Sequence, residues 1–404
     1  APLVALLAAN AVSLVGNTLT AVALPWYVLQ TTGSATRTGL VAAVAVLPAF
    51  VAGILGGTLI DRVGYKRISV LADVVSGLAI AAVPLLYQTV GLAFWQLLAL
   101  VFLGALLDIP GLTARRSLLP ELAARAGWRL ERANSAFESS QFLSLLLGPP
   151  LAGLLIAAVG ASNVLWLDAA TFAVSALLVV ALVPAALPAE RSTEGEGYFA
   201  ELAAGFRFIH RDRLLLILAL ALMASNVLSG PLFAVLLPVY VEETFGRAEP
   251  LGLALAAIGL SSLAGSLLFG AVGHRVRRRP LWLAAFLLAP VELWILATDP
   301  SVPVLVAALA LAGVVMGPVN PLLVTIRHER IPPDLRGRVF GTFSAVAVGA
   351  QPLGLLLAGF LIDGVGFRPT VLLLAGAAQL LGVLLLFAPT LREMDVARTA
   401  RAAR

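Results

Sequence analysis

Five carboxylates interrupt long apolar stretches of the chain: Asp73, Asp108, Glu138, Asp168 and Glu292. A carboxylate taken into hydrocarbon is costly, so it persists where it is used or where it is paired. Two chemistries suit such a group. One is proton exchange, because lost hydration favours the neutral carboxyl. The other is ion pairing. Asp108 and Glu138 are the first choice for proton carriers, with salt bridging to Arg115, Arg116 or Arg132 as the alternative. Asp168 is a further proton-coupling candidate and lies near a segment end, where capping competes. Glu292 has no assigned role.

Other chemistries are not suggested. Cys is absent, which removes disulfides, thiolate metal sites and cysteine nucleophiles. The three histidines, His210, His274 and His328, fall in predicted loops or helix ends, so no metal site is expected. No phosphate-cradling G-x-x-x-x-G-K-[ST] run occurs and no nucleophile, base and acid set is evident. No cofactor and no enzyme are expected.

The elements that must position these carboxylates are membrane spans. Hydrophobic residues make up 60% of the 404 residues and charged ones only 12%, a balance outside that of soluble domains. A spanning helix needs roughly 20 mostly apolar residues, since lipid cannot satisfy bare backbone groups. Twelve such runs are predicted: 3–29, 38–60, 68–87, 92–113, 133–159, 164–184, 214–241, 250–272, 281–297, 302–326, 339–362 and 370–388. A barrel would show short alternating segments instead. The first run is too long for a signal peptide and lacks a basic lead and a small-residue cleavage site.

Charge placement sets an orientation. Of the 27 Lys and Arg, all but Arg37, Arg247 and Arg368 fall after even-numbered runs or in the C-terminal tail. The positive-inside bias makes those loops and both termini cytoplasmic. The basic balance thus reports topology; the Arg residues are scattered without stacking aromatics, so no nucleic-acid partner is implied. Counted along the helix rise, Asp108 and Glu138 both lie in the cytoplasmic half.

The chain divides into a six-helix bundle at 1–187, a cytoplasmic linker at 188–213, a second bundle at 214–389 and a tail at 390–404. Within the linker, Phe199, Leu202, Phe206 and Ile209 recur at helical spacing, which predicts a short amphipathic helix on the membrane surface. The bundles repeat in parallel. "TARRSLLPEL" from Thr113 returns as "TIRHERIPPDL" from Thr325, and "GTLIDRVGYKR" from Gly57 returns as the degraded "GAVGHRVRRR" from Gly270. A third echo links "GPPLAGLLI" to "PLGLLLAGFLI". Parallel repeats of six helices are one architecture of transporters.

These residues resemble the major facilitator superfamily over essentially the whole chain. Its loop motif G-x-x-x-D-R-x-G-R-[RK]-x is matched by Gly57, Asp61, Arg62, Gly64 and Lys66, with Tyr65 where Arg is usual. The resemblance implies a cytoplasmic latch in which Asp61 meets the N-terminus of the eleventh helix, near Arg336 to Gly341, supported by Asp73, Arg115 and Arg116. The antiporter motif G-x-x-x-G-P-x-x-G-G is matched at Gly148, Pro149 and Gly153, while Ser144 and Ala152 replace glycines. The stretches "ALPWYVLQTTGSATRTG" and "VLWLDAATFAVSALL" are similar to drug/proton antiporters of the macrolide-efflux and multidrug type. Helix 4 lacks an Arg before Arg115, so a coupling mechanism built on such a residue does not transfer.

The fold implied is an all-α membrane protein of twelve helices in two pseudo-symmetric six-helix bundles. Helices 1, 4, 7 and 10 line the cavity of that fold, which makes Asn10, Asn17, Asn226 and Asn320 its polar candidates and Trp26, Tyr27, Phe233 and Tyr240 its apolar ones. The function implied is export of hydrophobic or amphiphilic small molecules against protons, by a monomer in the lipid bilayer of a prokaryotic inner membrane. A dedicated siderophore exporter, a lipid flippase and a non-transporting sensor are the alternatives.

Overall fold

A computed structural model of the chain describes residues 1–49, 51, 63–184, 198–332 and 335–395. Every regular element among the described residues is helical. Eleven helical segments are long and apolar enough to cross a membrane, and Ala35–Val46 forms a shorter apolar helix. The second predicted run, 38–60, continues into residues outside the described set.

The chain groups into two compact units. Unit 1 comprises Ala1–Gly33, Leu40–Gly195 and Val241–Gly252; unit 2 comprises Ser34–Gly39, Glu196–Tyr240 and Leu253–Arg404.

In unit 1, α1 (Pro2–Thr32) ends at Gly33, whose φ of 62° is a left-handed conformation natural to glycine. The short α2 (Ala35–Val46) follows, its residues up to Gly39 grouped with unit 2 and those from Leu40 with unit 1. Next is α3 (Tyr65–Thr89), introduced by Gly64 with φ 90°, which gives the motif glycine a local reason. The fourth span is broken into α4 (Phe94–Leu106) and α5 (Asp108–Arg125). The sequence "LLDIPG" explains the break, because Pro110 has no N–H to donate back to Leu106. That break puts Asp108 in the first turn of α5. Unit 1 continues with α6 (Leu130–Val159) and α7 (Ala161–Leu182). Its main core gathers Leu3, Leu6, Leu118, Leu122 and Phe137.

In unit 2, α8 (Tyr198–Arg211) is the predicted linker helix. It precedes α9 (Arg213–Ser229), which runs through a π turn at Leu232–Leu236 into α10 (Leu237–Phe245) and then α11 (Glu249–Val272), the stretch Val241–Gly252 being grouped with unit 1. Two further spans break before a proline: α12 (Arg278–Leu288) with α13 (Val291–Leu296) at Pro290, and α14 (Val302–Met316) with α15 (Val319–Arg330) at Pro318. The last helices are α16 (Arg336–Gly349), α17 (Gln351–Val365) and α18 (Phe367–Leu386). Leu214, Leu218, Trp282, Phe286, Leu322 and Phe343 form the core. The linker helix buries Gly205 and Ile209. A Cβ at Gly205 would collide with Thr342 Oγ1 of α16, so the linker helix is docked on protein, while Phe206 stays exposed.

Outside the cores, Leu143, Leu147 and Leu154 of α6 and Leu353, Phe360 and Leu380 farther on remain exposed. Large exposed apolar side chains on spanning helices are what a lipid surround accommodates.

Candidate functional site

The densest polar cluster lies inside unit 1, where α1, α3, α5 and α7 each contribute a side chain. Arg115 Nη2 donates to both carboxylate oxygens of Asp73, at 2.5 and 2.6 Å. Ser175 Oγ donates to Asp73 at 2.7 Å and Ser13 Oγ at 3.4 Å. Arg115 Nε is satisfied by Ser69 Oγ at 3.1 Å. Both charges are buried, at 3% exposure for Asp73 and 4% for Arg115. A buried ion pair needs such surrounding hydrogen bonds to offset its desolvation.

This pair opens on a cavity of about 130 Å³ whose walls also include Asn10, Asn17 and Asp108. Ser76 Oγ lies 3.4 Å from Asp108 and donates more closely, at 2.6 Å, to the Gly104 carbonyl. Among the described residues Asp108 therefore has a single long hydroxyl contact, on the wall of this cavity. Asn10 is fully buried and donates to Ser140 Oγ at 2.9 Å.

Asp168 forms a second centre, fully buried, on α7. Thr20 Oγ1 donates to it at 2.5 Å and Thr171 Oγ1 at 3.1 Å. Its partners are hydroxyls and no ion pair is found for it among the described residues. A Cβ at Gly16 would collide with this same carboxylate, so the glycine lets α1 approach it.

The remaining predicted residues are dispersed. Glu138 is half exposed and pairs with the exposed Arg116 at 2.9 Å, the arrangement weighed as its alternative role. Glu292 is 6% exposed, in the first turn of α13, with no hydrogen-bond partner for Oε2 among the described residues. Trp26 and Tyr27 are buried within unit 1, the latter edge-on to Tyr87 at 5.5 Å. In unit 2, Asn226 donates to the Ala347 carbonyl at 2.9 Å, and Tyr240 is buried with its hydroxyl donating to the Pro300 carbonyl at 2.6 Å. Phe233 and Asn320 are exposed.

Of the latch motif, Gly57, Asp61 and Arg62 lie outside the described residues. Lys66 is described, and its ammonium donates to the carbonyls of Val180 and Val183 at 2.9 and 2.5 Å, closing the C-terminus of α7. A cation there meets the negative end of the helix dipole. Its repeat counterpart Arg279 does the same in unit 2, donating to the Leu386 carbonyl at the end of α18. The antiporter motif serves close packing: a Cβ at Gly148 would collide with Thr18 of α1, and one at Gly153 would lie 2.5 Å from Gly252 Cα. Pro149 lies inside α6 beside Pro150.

Sequence reading did not find the hydroxyls that surround the acids, Ser13, Ser69, Ser76 and Ser175 on one side and Thr20 and Thr171 on the other. Their only signal is small polar residues within apolar spans.

The Major Facilitator Superfamily profile matches residues 6–248 and 226–403. The chain is 38% identical to the multidrug efflux pump Tap of Mycolicibacterium fortuitum, covering 98% of each sequence. It is 25% identical to macrolide efflux protein A of Streptococcus pyogenes, over 91% of this chain and 90% of that one. A crystal structure of a mutant of the nucleoside transporter NupG superposes with a TM-score of 0.79 at 13% identity, over 96% of this chain and 99% of that one. Fold and relatives alike are those of transport proteins and not of enzymes. This chain, a multi-pass helical membrane protein, belongs to the Major Facilitator Superfamily.

Proposed function

We propose that the protein is a secondary efflux transporter that exports hydrophobic or amphiphilic small molecules by proton antiport with alternating access. It works as a twelve-helix monomer in a prokaryotic inner membrane, with both termini cytoplasmic and bundles at 1–187 and 214–389 joined by the 188–213 linker. The drug-efflux reading is supported by the relatives named Tap and macrolide efflux protein A.

One observation carries the proton-coupled reading: unit 1 holds Asp108 on the wall of a cavity and Asp168 fully buried among hydroxyls, neither with a bonded cation among the described residues. A group that exchanges a proton must be stable in both charge states, and hydroxyl partners serve both. They donate to the carboxylate and accept from the carboxyl. Asp73 differs, because Arg115 meets both of its oxygens as an ion pair. Glu138, exposed and paired with Arg116, falls outside the proton-carrying set on this reading.

The test is flux in proteoliposomes under an imposed proton gradient, with a panel of dyes and drug-like amphiphiles. Uphill movement of at least one compound opposite to proton flow, lost on adding a protonophore, is the expected result. Downhill leakage insensitive to the gradient for every compound would overturn it.

A further inference from the structure

One side chain of α3 touches both sides of the break in the fourth span. Ser76 Oγ donates to the Gly104 carbonyl at 2.6 Å and lies 3.4 Å from Asp108 Oδ1. Gly104 is in the last turn of α4, where carbonyls run out of intrahelical donors, and Asp108 opens α5. Ser76 is buried, at 1% exposure. The helices are in close contact here: a Cβ at Gly111 would lie 2.7 Å from Ala72 Cβ, which seats α5 on α3 one turn before Ser76. All of these residues belong to unit 1.

A serine hydroxyl has one proton to give and can also accept. In this arrangement the proton goes to Gly104, because 2.6 Å is the distance of a formed O–H···O bond and 3.4 Å is beyond it. The lone pairs of Ser76 are left for Asp108, which can use them only as a neutral carboxyl, the donor form. An ionised Asp108 accepts only. It draws the Ser76 proton by turning the hydroxyl about Cβ–Oγ, and Gly104 then loses it. Two acceptors thus compete for one proton, and the charge of Asp108 decides between them. Of the elements packed against α5, α1 and α4 carry no charged residue. Asp73 of α3 and Arg115 of α5 line the same cavity and are paired with each other, and Glu138 of α6 is paired with Arg116. Asp168 of α7 is held by Thr20 and Thr171.

We propose that Ser76 is a positioning residue for Asp108 and the sensor of its charge: the hydroxyl serves Gly104 while Asp108 is neutral and turns to Asp108 when the carboxyl ionises, which ties that charge to the joint of α4 with α5. The proposal rests on the reading of Asp108 as a proton carrier. The proton given up by Asp108 leaves by the cavity it lines, and the Ser76 proton stays on its own oxygen. A buried carbonyl that loses its donor costs about as much as a lost hydrogen bond. The ionised form therefore favours a different setting of the α4–α5 joint.

The experiment follows the Asp108 carboxyl by its infrared C=O stretch through a pH titration in nanodiscs, with Asp108→Asn identifying the band. Ser76→Ala is expected to move the pH at which the band disappears by about one pH unit, the scale of one hydrogen bond made in a single charge state. Gradient-driven ethidium flux in proteoliposomes should fall about fivefold with ethidium binding retained. Ser76→Thr, which keeps the hydroxyl, should restore the parent midpoint and most of the flux. Monodispersity and thermal melting establish that each variant folds; should Ser76→Ala not fold, Ser76→Cys, with a weaker donor of similar size, carries the same readouts. A serine that only fills the helix break lowers the melting temperature and leaves the midpoint alone, so a folded Ser76→Ala at the parent midpoint overturns the proposal. An equal shift in Ser76→Thr assigns the effect to packing and overturns it as well. If Asp108→Asn removes no titrating band, the proton-carrying reading of Asp108 fails first and the sensor falls with it, an outcome told apart by the parent protein alone.

Discussion

At position 115 and its repeat counterpart 327, two arginines solve the problem of a buried guanidinium in different ways. Arg115 is met by Asp73, whereas Arg327, 8% exposed, is met by the faces of Phe340 and Phe343 at 4.8 and 4.9 Å. An ion pair broken on one side leaves a bare charge, while an aromatic stack broken leaves only apolar surface. Arg115→Met should therefore cost about 3–5 kcal/mol of stability, and Arg327→Met about 0.5–2 kcal/mol. Thermal unfolding in one detergent measures both. The double variant Asp73→Leu with Arg115→Met should recover most of the loss, because no charge is stranded. A second prediction separates coupling from structure. Asp168→Asn and Asp108→Asn should keep substrate binding but lose gradient-driven flux by at least about tenfold, the scale of removing one essential proton-transfer group. Glu138→Gln, removing one exposed ion pair worth about 0–1 kcal/mol, should keep both activities. Parallel binding and flux assays decide it, and full flux in both aspartate variants would move the proton path elsewhere.

Where helices meet, glycine and a small hydroxyl set the distance. α6 reaches α1 because Gly148 faces Thr18, whose hydroxyl is turned onto its own helix at Val15. Gly148→Ala should lower stability by about 1–3 kcal/mol through overpacking. Thr18→Ala, nearly silent alone, should restore part of that loss in the double variant, and melting temperatures of the four proteins close the cycle. Helix breaks carry a local signal that counting the spans passed over: run 92–113 was expected unbroken, yet D-I-P-G at Asp108 interrupts it, since a proline inside a span removes a hydrogen bond. Helix rotation was not legible. A face toward lipid and a face toward protein are both apolar, so sequence could not tell that Glu138 points out to Arg116 while Asp168 points in to Thr20. The docked linker helix escaped for a related reason, because the amphipathic pattern that suits a membrane surface also suits the flank of α16.

For the whole molecule, the bilayer makes the fold readable and the repeat makes it checkable. A minimum apolar length is a one-dimensional constraint, so the spans follow from counting. The repeat is borne by interactions as well as letters: Lys66 closes α7 and Arg279 closes α18. Long-range pairs such as Asp168 with Thr20 could not be read, because nothing in a single sequence links positions so far apart. Charge at this scale also orients the chain. Asp212, Arg330 and Glu393 form one network, and Arg278, Glu329 and Asp395 a second, all on segments that the positive-inside bias assigns to the cytoplasm. Arg247, by contrast, lies in a loop assigned to the opposite face. A chain without Cys lets this be tested one residue at a time. In intact cells, Arg247→Cys should react with an impermeant maleimide added outside, and Ser192→Cys should react only after the membrane is opened. Arg247→Cys should still support efflux, since Arg247 makes none of the contacts of the polar cluster. The loop basic residues sit next to spans, where each translocated positive charge opposes insertion. Labelling of Ser192→Cys from outside in sealed cells would therefore invert the topology.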